Sequence, residues 1–363
     1  MIRIRKATVT RIVREDDTVQ ELLVDICGRE EKAIAYRQLT GGLEAGEQAL
    51  LNTTAVDLAL GSGGAHFVIA GLRAPERELP PGPGHIMKLN YTPLQCRVLS
   101  CEEPGSPHRE TLKAARSLLG APVVCGALHS MVAPVAAAAH ELTNGRARVA
   151  YVMTDAACLP LPFSRSVKQL KQKGLLAGAV SYGQAFGGDL ECVNKFTAML
   201  ACRHALGADI IIAAMGVGSI GMDAPLAHTG MEQGELVNAA AALGGAPVAL
   251  PRMSFADPRP RHQGISHHTL SALQVAAFAR AHLPLPVLPQ DQAERVRAQL
   301  TELGLDNKLD ICEYDGQIAI DALHKHGLRV TTMGRGPEQD PAFFLACGAA
   351  ARAAVQIFDK NKG

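Results

Sequence analysis

Residues 207–234, GADIIIAAMGVGSIGMDAPLAHTGMEQG, constrain the fold more than any other stretch of this chain. The run from Asp209 to Ala214 is too short and too rich in β-branched residues for a buried helix, so it reads as a strand. It empties into a loop with glycines at 216, 218, 221, 230 and 234, which lets backbone approach a ligand closely. A helical pattern resumes only near Met231. A strand that feeds a loop and then a helix is the building unit of an α/β sheet, and ligands bind such sheets beyond the carboxyl ends of the strands.

The same rhythm runs through everything after residue 85. Strands are expected at Leu94–Leu99, Pro122–Cys125, Val149–Met153, Ala177–Ser181, Asp209–Ala214, Pro247–Leu250 and Arg329–Thr332, with a further one at Lys308–Cys312. Helices are expected behind Ser164, Asp189 and Ser266 as N-caps, and behind Asp340 with Pro341 at the first helical position. Before residue 73 the pattern is alternating apolar and polar residues in five short segments, separated by DD, GRE, GGLEAGE and GSGG. That is the signature of a small antiparallel barrel. GSGG reads as a turn with positive φ, since no helix follows it. The fold class is therefore α/β, a mostly parallel sheet flanked by helices in Rossmann-like layering, preceded by a small all-β, barrel-like N-terminal domain. The expected division is residues 1–73 for the barrel, 74–85 (APERELPPGPGH) for a Pro/Gly linker and 86–363 for the α/β domain.

Composition fits two domains in 363 residues, with 47% hydrophobic and 20% charged residues supplying core without disorder. Aromatic residues are only 4% and tryptophan is absent, so the core is aliphatic. A net charge of +1 argues against a nucleic-acid binder. No apolar run approaches the roughly 20 residues of a spanning helix, and the N-terminus alternates like a strand. Nine scattered cysteines without a CxxC pair read as reduced core thiols, which points to the cytoplasm. Homo-oligomerisation is expected on general grounds.

The glycine loop contains GVGSIG, residues 216–221, with the GxGxxG spacing. A dinucleotide fingerprint opens straight into a helix and meets an acid about 20 residues later. Here Pro225 intervenes, and the first acid beyond the following strand is Asp257. Turn glycines or another anion site are the better account, with Gly216, Gly218, Gly221 and Asp223 as candidate ligand contacts. The connection MSFADPRPRHQGISHHT, residues 253–269, is polar and proline-bent ahead of a helix N-terminus. Arg252, Asp257 and Arg261 there could clamp a phosphate or carboxylate, while His262, His267 or His268 exchanges a proton. The alternatives are a plain surface loop with a capped helix, or a metal held by two of these histidines with Asp155 or Asp257. Adjacent histidines diverge by about 100° on a helix, so no metal ligands are assigned. His129 and Asp155, each just past a strand, would form an acid/base set if their strands are neighbours; each is equally explained as a hydrogen-bonded structural residue. Arg335, between two glycines in TTMGRGPEQD, is free to swing over a ligand or to pair with Glu338 or Asp340. No GxSxG elbow and no P-loop occurs, and no cofactor is named by any motif.

The segments AAMGVGSIGMDAPLAHTG, DPRPRHQGISHHTLSAL and TTMGRGPEQDPAFF resemble an uncharacterised bacterial family of about this length, a domain of unknown function. The resemblance spans most of the chain and implies a bacterial, soluble protein; it transfers no catalytic role. From the residues themselves, the expected function is an enzyme of small-molecule metabolism that holds an anionic substrate, phosphorylated compounds among the candidates, in a strand-end cleft, with a histidine (His129, His228, His262, His267 or His268) as general acid or base. The alternative is a noncatalytic ligand-binding or assembly protein.

Overall fold

A computed structural model describes residues 1–74, 76–78 and 82–362. The expected linker 74–85 therefore falls in part outside the described residues. By its internal contacts the chain divides into two compact units, Met1–Leu99 and Ser100–Gly363.

In the first unit all five alternating segments form strands: β1 (Ile4–Glu15), β2 (Val19–Ile26), β3 (Arg29–Tyr36), β4 (Gln48–Asn52) and β5 (His66–Gly71). They close into a barrel in the order β1-β2-β3-β5-β4, the five-stranded Greek-key plan of OB-type barrels. One pairing departs from the antiparallel expectation. The chain passes through β4 before β5, so β5 arrives beside β3 running in the same direction, with Ala33 opposite His66 and Ile34 opposite Phe67. Register shifts between Val9 and Arg11 and between Ile12 and Arg14 bend β1, which pairs with both β2 and β4. Period-two alternation puts Val9, Leu22, Val24, Ile26, Ala33, Ala35, Leu51 and Val68 inside. The GSGG turn has Gly63 and Gly64 at positive φ. Beyond the barrel, β6 (Ile86–Lys88) and β7 (Cys96–Val98) form an antiparallel ribbon. The strand expected at Leu94–Leu99 is thus shorter and pairs here instead of in the parallel sheet.

The second unit is built on eight parallel strands: β8 (Pro122–Cys125), β9 (Val149–Thr154), β10 (Gly178–Tyr182), β11 (Leu190–Cys192), β12 (Ile210–Met215), β13 (Ala246–Ala249), then, past the two-residue ribbon of β14 (Met253–Ser254) and β15 (Gly264–Ile265), β16 (His282–Pro286) and β17 (Asp310–Tyr314). The order across the sheet is β11-β10-β9-β12-β8-β13-β16-β17. β8, β9, β10, β12 and β13 are buried almost without interruption, as expected of strands covered on both faces. Helices at 132–143, 318–325 and 341–362 pack on one another, and 195–204 packs beside 232–242. Alanine recurs among their buried residues, as in Ala136–Ala139 and Ala349–Ala351. A Cβ on Gly348 would stand 2.0 Å from the Gly316 carbonyl oxygen, so only glycine lets helix 341–362 approach that turn.

Four expectations are corrected. Asp189 does not cap a helix: Leu190–Cys192 is an edge strand, and Asn194 caps Lys195–His204 by accepting from the amides of Phe196 and Thr197 at 3.0 and 3.1 Å. Arg329–Thr332 is no strand; it leads into a tight turn with Met333 and Gly334 at positive φ and an isolated Thr332–Arg335 bridge. The last residues of the helical stretch expected behind Ser266, His282 and Leu283, instead open β16. This strand meets β13 only at Val248 opposite His282, which leaves little ladder there for Pro284 and Pro286 to interrupt. Finally, helix Pro341–Lys362 is long and apolar enough to cross a membrane, but 72% of its apolar window is buried inside the protein, so its hydrophobicity is spent on the core.

Candidate functional site

The chain builds the sheet outward from β8 in two directions. From β12 it crosses behind β8 to β13, so the loops after β12 and β13 open at the point where strand order reverses. Each loop delivers histidines. After β12, the glycine loop folds into a short hairpin: Ala224 accepts from the amide of Ala227 at 3.1 Å, Ala227 from Met222 at 2.9 Å and Ile220 from Thr229 at 2.9 Å. Pro225 sits at the second position of that turn, where its fixed φ belongs. Gly221 and His228 form the bridge that closes the hairpin. After β13, the β14–β15 ribbon returns the chain to Ser266, whose hydroxyl caps His267–Ser271 through the His268 amide.

The two loops bring four imidazoles together. His228 and His268 stack with centroids 4.0 Å apart and planes 14° apart. His267 lies 4.3 Å from His268 and 5.6 Å from His228, and His262 is 5.0 Å from His267 and 5.1 Å from His268. The divergence of neighbouring positions on a helix does not separate His267 from His268, because both lie in the first turn and the third ring comes from the other loop. His228, His267 and His268 each offer a nitrogen within 4.8 Å of the others. The glycines make the fit. A Cβ on Gly221 would lie 2.8 Å from His268 Cε1, and one on Gly230 would lie 3.0 Å from His228 Nδ1. Gly216 serves packing instead, with a Cβ there 2.5 Å from the Cys158 carbonyl oxygen, and Gly218 supplies a φ of 94°.

Beside the imidazoles lies a guanidinium–carboxylate network. Asp257 is fully buried and takes Arg259 Nε and Nη2 at 2.9 Å each, Arg335 Nη2 at 3.3 Å and Arg252 Nη2 at 3.6 Å. Asp340, also buried, takes Arg335 Nε at 3.0 Å and the Ser254 hydroxyl at 2.7 Å. Three guanidiniums thus share two carboxylates, and one positive charge is left over. The bidentate bond from Arg259 holds Asp257 well below the usual carboxylate range. Burial brings Arg252 down to about 10, against the opposing pull of Asp257.

The same surroundings keep the histidines neutral. Burial, reinforced by Arg252 and Arg259, lowers His262 to about 3. Burial with His228, His267 and Arg252 lowers His268 to about 2. His228 and His267 shift down as well, burial leading in both; a carbonyl contact from Pro225 opposes the shift at His228. Ser271 donates its hydroxyl proton to the His267 carbonyl at 2.6 Å, so toward His228 it accepts from Nε2 at 2.9 Å. That assigns the proton of His228 to Nε2. Its Nδ1, like His267 Nε2, is buried without a hydrogen-bond partner.

The other expected site residues are placed elsewhere or differently engaged. His129 is not brought to Asp155. Its Nδ1 donates to the Tyr151 hydroxyl at 3.2 Å, and its Nε2 meets Ser164 and Ser166 at 2.7 and 3.1 Å. Burial lowers it to about 4. Asp155 accepts from the Gln184 amide at 3.0 Å. Arg335 pairs with Asp257 and Asp340, not Glu338, and Arg261 pairs with Asp223 at 2.5 Å across the two loops. Sequence reasoning gave no place in the network to Arg259 or Ser254 and did not see that His228 joins the helix-start histidines; Pro225, which turns the loop back on itself, was the available signal. It also missed Glu232, whose carboxylate burial pushes up and which accepts from the Tyr182 hydroxyl at 2.9 Å and from Thr154.

Comparison with curated proteins finds no match. A family model does match residues 32–351, and the chain belongs to that family, described as a protein of unknown function (DUF3866).

Proposed function

We propose that this chain is an enzyme of small-molecule metabolism that takes an anionic, phosphorylated or carboxylate-bearing substrate at the loops after β12 and β13, with an imidazole of the histidine cluster as the proton acceptor. One observation carries the reading: three guanidiniums share only two buried carboxylates beside four imidazoles that burial, with Arg252 and Arg259, keeps neutral. A bound anion takes up the surplus charge. By the same electrostatics it raises the histidine pKa values toward neutrality, so the base is strengthened when substrate is in place. Arg259, the most exposed of the three with a side chain 41% exposed, is the arm nearest solvent and the first contact for an incoming anion.

The same proposal puts the protein in the bacterial cytoplasm as a homo-oligomer that binds neither nucleic acid nor membrane. Nine free cysteines and a net charge of +1 support the compartment and the lack of a nucleic-acid partner. The test is a turnover screen of phosphate esters and small carboxylates with the purified chain. The expected result is conversion of at least one compound, reduced by about 10²-fold or more in His267→Ala. A ligand bound tightly but recovered unchanged would overturn the catalytic reading and favour a noncatalytic binding protein.

A further inference from the structure

The histidine cluster goes beyond what an anion site requires. A phosphate or carboxylate is recognised by donors that reach it, yet two ring nitrogens of this cluster are buried with no partner at all. His228 donates from Nε2 to Ser271, which leaves its Nδ1 bare, buried and without a partner; His267 Nε2 is likewise buried without a partner. Leaving such buried atoms unsatisfied is destabilising, and two of them together point to a missing ligand. Neutral imidazoles whose second nitrogen is fixed by a hydrogen bond are the ligands that transition metals take.

We propose that His228, His267 and His268 form a three-histidine site for a borderline divalent transition ion of the zinc class. The three donor nitrogens lie within 4.8 Å of one another. A tetrahedral ion with metal–nitrogen bonds of about 2.0–2.1 Å holds its ligands roughly 3.4 Å apart, so closure takes modest side-chain rotations and no backbone movement. Ser271 is the outer partner that orients His228. Gly221 and Gly230 line the rings where any side chain would displace His268 or His228, which keeps the site from being filled by the protein itself. His268 gives up one contact, the 3.5 Å approach of Arg252 Nη1 to its Nδ1, the longest polar contact of the cluster. The nearby guanidiniums disfavour a bare dication, and this fixes the fourth ligand: a hydroxide or another anion, placed between the ion and the arginines, satisfies both. Nitrogen-only ligation selects against Mg2+ and Ca2+, which take oxygen. The ion site stands on ring geometry and unpaired nitrogens; with the ion in place, His262 is the imidazole of the four left to accept a proton.

The test uses the full chain without an affinity tag, stripped with a chelator and titrated with Co2+. The expected result is stoichiometric uptake with the visible d–d band of a tetrahedral nitrogen-ligated ion, displaced by Zn2+. Affinity falls by more than about tenfold in His267→Ala and in His228→Ala, and stays within a few-fold of wild type in His129→Ala. His267→Gln at the half-buried position serves if an alanine variant does not fold, and circular dichroism of each stripped variant separates lost ligation from lost structure. No band with the folded wild-type chain, or equal affinity in folded His267→Ala or His267→Gln, overturns the site. Phosphate binding by the stripped chain is measured alongside, so failure of the metal site and failure of the anion site are read separately.

Discussion

Gly221 and His268 are in contact across two loops: a Cβ on Gly221 would stand 2.8 Å from His268 Cε1 and 2.9 Å from Nε2. This glycine, which first looks like part of a nucleotide fingerprint, is the wall of a histidine cluster. Gly221→Ala is expected to swing the His268 ring away from His228. Because Gly221 is on an exposed loop, the cost in stability stays within about 1 kcal/mol, while Co2+ affinity drops by about tenfold or more. Urea unfolding and metal titration of the same preparation check both halves of this expectation.

Asp257 is the keystone of the arginine network. Asp257→Asn leaves three guanidiniums with one carboxylate in a buried setting and is expected to destabilise the chain by about 3–5 kcal/mol. Asp223→Asn removes a charge that is 92% exposed and is expected to cost about 0–1 kcal/mol. Equal midpoints for the two variants in urea would contradict the assignment of Asp257 as a buried anchor.

His129 predicts a pH effect with a definite sign. Its imidazole titrates near 6.5 when unperturbed and about 4 in the folded chain, through burial. Between those values the unfolded chain binds a proton that the folded chain refuses, so stability is full above pH 6.5 and is lost as the pH falls toward 4. The contribution is on the order of 1–3 kcal/mol, the lower part of the range reflecting its partial exposure. His129→Asn should flatten the fall of stability across that window relative to wild type; an unchanged slope would refute the assignment.

Most of this fold was legible because strand, loop and helix periods differ. The five alternating segments of the barrel and the apolar runs of β8, β9, β10, β12 and β13 stand out by pattern alone. What was misread lies where local signals compete. Asp189 resembles an N-cap, but Ala179 and Lys171 claim its carboxylate, and Asn194 does the capping. Pro284 and Pro286 argue against a strand unless one knows that little of β13 runs beside them. At the site, the residue types near 253–269 were evident from charge and proline content. That His228 joins them follows from the β12-to-β13 crossover at the switch point, a long-range relation that no window of sequence contains. The same is true of His129 and Asp155, which follow β8 and β9: His129 meets the far end of the segment after β9, at Ser164 and Ser166, while Asp155 at its near end accepts from the Gln184 amide.

The central claim is that an anion settles beside the arginines and is sensed by the imidazoles. The most direct measurement follows the imidazole nitrogen resonances of the metal-free chain by NMR during titration with inorganic phosphate. Saturable shifts of His228, His267 and His268, with protonation moving toward neutral pH, weakened about tenfold or more in Arg259→Gln, are predicted. Imidazole resonances that stay fixed throughout the titration, or that respond identically in Arg259→Gln, would contradict it.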